Sequence, residues 1–185
     1  MPDFRFGSSS YRTLGMLVEG GLRKDELDRQ NGLGTTYMGV ERLAHLITVN
    51  SKGLLMCQGR NLDTTAVSDG TFIFVMSRDG NIYSADKKQV MHHSSFLGRG
   101  EVASAGKWRV EHGKLTYINN VSGHYMPPSD FNDQVLRELR KRNVDVSSVH
   151  RDWQWGTSAQ IAKGLKRMNE TRERVRGSGQ VNSPF

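Results

Sequence analysis

The sequence holds a single cysteine, Cys57, among 185 residues, which excludes an internal disulfide framework and a cysteine-rich zinc site. Long hydrophobic runs are missing too. Stretches such as Gly53–Cys57 and Thr71–Met76 fall far short of the roughly 20 apolar residues a membrane helix needs. The opening Met1-Pro2-Asp3-Phe4-Arg5 lacks the apolar core of a secretory signal. No phosphate loop or dinucleotide fingerprint is present, because Gly98-Arg99-Gly100 is a lone G-x-G without strand-to-helix context. Nor is there a G-x-S-x-G nucleophile elbow. His45, His92, His93, His112, His124 and His150 have no metal-ligand spacing, so no metal is expected.

What remains suits one domain with a real core: 36% of residues are hydrophobic and 8% aromatic. Lysine and arginine number 26 against 19 acidic residues, a net charge of +7 that favours nucleic acid, acidic proteins or anionic lipid as partners. The surplus is uneven. From Arg151 to Arg176, seven basic residues face three acidic ones, so more than half of the net charge sits in the last fifth of the chain. The lone cysteine fits a reducing cytosol.

The first forty residues are glycine-rich, with a short strand expected at Phe4-Arg5-Phe6, a short helix near Lys24–Arg29 and a loop at Gly32-Leu33-Gly34. Strand and turn signals follow. His45–Val49 and Leu54–Cys57 flank Asn50-Ser51-Lys52-Gly53; Thr71–Met76 and Asn81–Ser84 flank Ser77-Arg78-Asp79-Gly80; Trp108–Glu111 and Lys114–Asn119 flank His112-Gly113. After Pro127-Pro128 the period turns helical, with Ser129 as N-cap and Phe131, Val135, Leu136 and Leu139 on one face. A second helix is expected over Thr157–Val175, carrying Ile161, Leu165 and Met168 on one side. That stripe either packs on the protein's own sheet, the preferred reading, or docks on nucleic acid, membrane or a calmodulin-like acidic groove. The expected fold class is α+β: an antiparallel β-roll or partly open barrel built from hairpins, followed by two C-terminal helices. One domain is expected over residues 1–176, with a β-rich core at 43–146, a basic helix at 151–176 and a flexible tail at 177–185.

Two clusters carry the residue types of chemistry. His92-His93-Ser94-Ser95-Phe96-Leu97 and Ser122-Gly123-His124-Tyr125 both lie where a strand yields to a loop. Histidine supplies proton transfer near neutrality, and serine and tyrosine hydroxyls bind anionic or carbonyl groups. If His92 and His93 lie on a strand, only one of them faces a given site. The alternative is that these hydroxyls brace tight turns.

In order, Phe72-Ile73-Phe74-Val75-Met76, Asp79-Gly80, Ile82-Tyr83, His93-Ser94-Ser95-Phe96-Leu97, Ala105-Gly106, Glu111-His112-Gly113-Lys114-Leu115 and Ser122-Gly123-His124-Tyr125 form a recognisable succession. Over residues 43–146 it resembles a domain at the C-terminal toxin ends of bacterial rearrangement-hotspot and related polymorphic-toxin proteins. It also resembles the central region of plant IQ-motif calmodulin-binding proteins. No IQ-type motif occurs here, so calmodulin binding does not carry over. Lys107 stands where the toxin relatives often have an acidic residue.

The toxin resemblance implies a secreted or delivered effector acting in the cytoplasm of a target cell, on a macromolecular target, with a cognate immunity protein. The expected reaction is transfer of ADP-ribose from NAD. Arg5 would hold the cofactor, His93, Ser94, Ser95, His124 and Tyr125 would form the catalytic set, and Glu101 or Glu111 would face the ribose. One alternative is metal-independent RNA cleavage with His93 and His124 as base and acid. The other is a non-catalytic partner-binding module.

Overall fold

Three turns fold the middle of the chain back on itself. A computed structural model describes residues 10–16 and 37–178, with side chains through residue 171. The elements expected at Phe4–Phe6, Lys24–Arg29 and Gly32–Gly34 lie outside these residues. A 3-10 turn at Val40–His45 leads into β1 (Leu46–Val49). Asn50 Oδ1 then accepts from the amides of Lys52 and Leu54, each at 3.0 Å, and returns the chain as β2 (Leu55–Cys57). The two-residue β3 (Arg60–Asn61) follows. Gly80, at φ +83°, closes the turn between β4 (Phe72–Met76) and β5 (Ile82–Ala85). His112 and Gly113 have φ of +50° and +90°, the paired left-handed turn that suits a hairpin, and join β6 (Ser104–Glu111) to β7 (Lys114–Asn119).

The eight strands run in the order β3-β2-β1-β5-β4-β6-β7-β8, where β8 is His150–Asp152. Every pairing is antiparallel except β7 with β8. The sheet curls until its far parts meet: Leu55 N donates to Gly113 O at 2.8 Å, and Gly113 N to Leu62 O at 2.7 Å. Strands β3 and β8 remain as edges, so the barrel is partly open. The α+β class with a hairpin-built sheet is what the molecule has.

Alternation along β4 explains why its five residues read as one apolar run. Phe74 and Met76 enter one core with Ile47, Leu55, Ile82, Trp108 and Ile118, while Ile73 and Val75 enter a second with Tyr83, Phe96 and Tyr125. Trp108 is fully buried, stacks on Phe74 at 4.9 Å between ring centroids, and donates from Nε1 to Ser84 Oγ at 2.8 Å. A buried indole with its N–H satisfied anchors a core without a polar penalty.

Helices seal both faces. On one, α1 (His93–Phe96) brings Phe96 to the second core. On the other, α2 (Ser129–Lys141) delivers Val135, Leu136 and Leu139 to the first core. Ser129 is not the N-cap of α2: Pro128 occupies that position, and the Ser129 amide donates to Gly156 O at 3.1 Å. Phe131 is half-buried, with the Arg12 guanidinium 4.9 Å above its ring.

The last helix, α3 (Ser158–Ser178), departs from the preferred expectation. Its stripe does not pack on the sheet: Ile161, Leu165 and Met168 are 37%, 56% and 54% exposed. The cause is occupancy. One sheet face is filled by α2 with Val144, Val146 and Val149, the other by α1, Tyr125, Leu14 and Met16, which leaves no apolar surface for α3. Asp130 tethers only its start, accepting from Ser158 N at 2.8 Å.

Candidate functional site

The His92–Ser95 segment is not a strand. His92 is extended, at φ −128° and ψ +142°, and the chain then makes the single turn of α1, where Ser95 N donates to His92 O at 3.1 Å. Gly98 and Arg99, at φ +57° and +67°, end it. Strand alternation therefore does not separate the two histidines, and both are buried, at 3% and 7% exposure.

His93 Nε2 lies 2.8 Å from Gly106 O. A carbonyl can only accept, so the neutral ring carries its proton on Nε2. Burial pushes the His93 pKa down to about 4; the bond to Gly106 resists this, while His124, Lys107 and Lys87 add to it. A histidine so held is neutral at pH 7 and a weak proton acceptor there. Gly106 is glycine for a spatial reason: a Cβ would lie 2.0 Å from Asn119 O. Asn132 Nδ2 ties the same junction, donating to Asn119 O at 2.9 Å.

The second cluster forms a turn closed by Met126 N donating to Ser122 O at 2.9 Å. It places His124 edge-on to His92, with ring centroids 5.0 Å apart. The three histidines thus meet in one buried group. Ser94 and Ser95 are buried beside them, and Ser94 Oγ has no hydrogen-bond partner among the described residues. Tyr125 turns elsewhere: its hydroxyl donates to Gly100 O at 2.9 Å, and burial raises its pKa so that it stays a donor.

The remaining expected residues do not join this group. Arg5 lies outside the described residues. Glu101 accepts from Thr13 and, at 3.2 Å, from Arg78 on the surface. Glu111 stands five residues along β6 from Gly106, about 16 Å of strand. Among the described residues no three His, Cys, Asp or Glu are grouped to hold a metal ion.

Of the two histidines that the sequence left undecided, His92 is the one that reaches a cleft. A cavity of about 490 Å³ beside the group is lined by His92 with Asp69, Asp86, Lys87, Lys88 and Met91. Lys107 Nζ sits 3.1 Å from Asp69. Burial works to raise the Asp69 pKa, but bonds from Thr71 and Lys107 outweigh it and hold the carboxyl below its usual range. The run Asp86-Lys87-Lys88, charged residues directly after a strand, was the available signal.

The polar residues of both clusters are buried, His93 and Tyr125 are bonded to backbone carbonyls, and His92 alone of them borders the cleft. Residues 41–132 match the model of the IQ motif-containing protein middle domain. This middle-domain stretch covers most of the 43–146 span on which the resemblance was read. The chain is 35% identical over 117 residues to the IQ domain-containing protein IQM1 of Arabidopsis thaliana, covering 62% of this chain and 24% of that protein. It is 38% identical over 105 residues to IQM3 of the same plant, covering 56% of this chain and 23% of that protein. The chain therefore spans about a quarter of the length of these relatives. No solved structure matches.

The plant half of the resemblance stands; the bacterial half has no such support. Relatives that are plant IQ domain-containing proteins overturn the toxin and ADP-ribosyltransferase reading. The delivered-effector location falls with it, and the immunity protein and toxin target lose their basis. NAD was expected only as the donor for that transfer.

Proposed function

We propose that the chain is a non-catalytic module that binds a protein partner, with the middle-domain stretch as its scaffold. One observation carries this: His93 spends its only N–H on Gly106 O inside a buried group and is neutral at pH 7. The cluster braces α1 and the Ser122–Tyr125 turn against the sheet. The middle-domain match and the plant IQ domain-containing relatives support the reading. Thermal unfolding of His124→Ala and Tyr125→Phe tests it. Both variants melt below the parent, Tyr125→Phe by the about 1 kcal/mol of one buried hydrogen bond. The parent neither hydrolyses NAD nor cleaves RNA in EDTA. Turnover of either substrate, lost in a variant that melts like the parent, overturns the reading.

A further inference from the structure

We infer that residues 10–16 fill a groove shaped to bind a peptide segment, and that a partner's segment of the same chemistry takes their place. The inference rests on the partner-binding reading and says which part of the partner is held. The groove reads the backbone of its occupant. Gln134, 2% exposed on α2, accepts from Arg12 N at 3.0 Å and donates to Arg12 O at 3.0 Å, as a neighbouring strand would. Leu14 and Val102 exchange a second reciprocal pair, at 2.9 and 3.0 Å, in an isolated antiparallel bridge. Tyr11 N adds a bond to Arg78 O at 2.9 Å. Such bonds are the main-chain half of recognition by strand addition, and they hold any sequence.

Side chains supply the selectivity. Tyr11 lies over Gly80, where a Cβ would come 3.1 Å from its ring, and its hydroxyl donates to Glu138 and accepts from Lys141. Arg12 pairs with Asp130 at 2.7 Å. Leu14 and Met16 pack on the second core. The preferred segment is therefore aromatic, then basic, then apolar two and four residues after the basic one. The resident segment is held shallowly. It makes one bridge rather than a ladder, the Arg12 and Asp130 side chains are 59% and 25% exposed, and Thr13 ties to Glu101 at the surface. It lies outside the matched residues 41–132 and is joined to them through residues 17–36. A tether of that length gives an effective concentration on the order of millimolar, which excludes weak competitors and not tight ones. Once the segment leaves, the buried Gln134 amide loses both bonds to Arg12, so the groove favours being refilled. A second copy's segment would make the same contacts at the added entropy cost of association, so the occupant is a different protein.

The test uses the full chain and a fluorescein-labelled peptide with the sequence of residues 10–16. By anisotropy, Leu14→Asp, whose own segment is loosened, binds the peptide at least about tenfold tighter than the parent does. Adding Gln134→Met removes that gain, and a peptide with aspartate in place of Leu14 does not bind. Arg12→Glu sets a like charge against Asp130 at the surface and gives a smaller gain of about threefold. It decides the matter if Leu14→Asp does not melt cooperatively. In the parent, the Val102 amide exchanges with deuterium at least about tenfold faster than the amides of β6, because the segment opens locally. No gain in either variant, a gain that Gln134→Met leaves unchanged, or Val102 exchange only with global unfolding overturns the proposal. So does equal binding of the aspartate peptide, or a dimer of the parent that Leu14→Asp abolishes. Any of these removes the groove and leaves the partner-binding reading intact; NAD or RNA turnover removes that reading and leaves the anisotropy result standing.

Discussion

The polar turn around His93 is drier than the apolar stripe of α3. His92, His93, Ser94, Ser95 and His124 are all under 8% exposed, whereas Leu165 and Met168 are more than half exposed. Water is normally reserved for the first kind of side chain and denied to the second. The inversion has a local cause in each region. The histidine turn lies directly over the Gly106–Asn119 junction, where a missing Cβ lets two strands and a helix converge. Helix α3 comes last in the described chain, after both sheet faces have been covered. Residue type states what a side chain gains from burial; which sheet surface is already occupied decides who receives it.

The widest way to break this contrast is at Gly106. A methyl group there meets Asn119 O at 2.0 Å, and a backbone carbonyl cannot step aside as a flexible side chain would. Gly106→Ala should cost more than about 3 kcal/mol in urea unfolding, because relief requires β6 and β7 to part. It also displaces the acceptor of His93. A variant as stable as the parent would show that the junction is not what makes the histidine turn dry.

The next effect is a pH dependence. An unfolded histidine titrates near 6.5, and His93 in the fold near 4, so between those values the unfolded chain binds more protons. The contribution is complete above about pH 6.5 and lost as pH falls toward about 4, on the order of 3 kcal/mol in all. Carboxylates held below their usual range in the fold, such as Asp69 and Asp130, also cost stability once the pH reaches the ordinary carboxylate range, because the unfolded chain protonates first. The comparison is therefore made with His93→Gln, whose amide can still donate to Gly106 O without titrating. Urea unfolding at about pH 7 and about pH 4.5 should show the parent losing more stability than the variant. Equal losses would mean that His93 is already charged or solvated in the fold.

The same contrast separates what the residues announced from what they did not. Turns are local, so Asp79-Gly80 and His112-Gly113 declare their hairpins, and Phe72–Met76 declares a strand buried on both faces. The face of α2 was legible because Val135, Leu136 and Leu139 repeat with its period. Long-range pairings were not. Strand β8 is three residues long and exists by lying parallel to Tyr117–Asn119. Pro128 displaces Ser129 as cap because Gly156, far along the chain, supplies a carbonyl to the serine amide. His92 at the cleft and His93 behind it could not be told apart while both were read as strand residues. The ordered motifs pointed both to bacterial toxin ends and to the central region of plant IQ-motif proteins, of which the comparisons support the plant half, and chemistry read from histidine and serine types assumed an exposure that the fold denies them.

The smallest expected effect, at Leu165, belongs to the sharpest comparison, because the same substitution is made in two helices. Leu139 on α2 and Leu165 on α3 each sit among apolar neighbours at helical spacing, and sequence pattern treats them alike. Leu139 is fully buried in the first core; Leu165 is 56% exposed. Leu139→Ala removes buried methyl groups and leaves a cavity, which should cost about 2–5 kcal/mol. Leu165→Ala removes them from water-facing surface and exchanges one strong helix former for a stronger one, so stability should stay within about 0.5 kcal/mol. Both values come from urea unfolding of the free chain. A large loss from Leu165→Ala in the free chain would instead mean that the stripe is packed against the protein's own body in solution, and the contrast between the two helices would collapse.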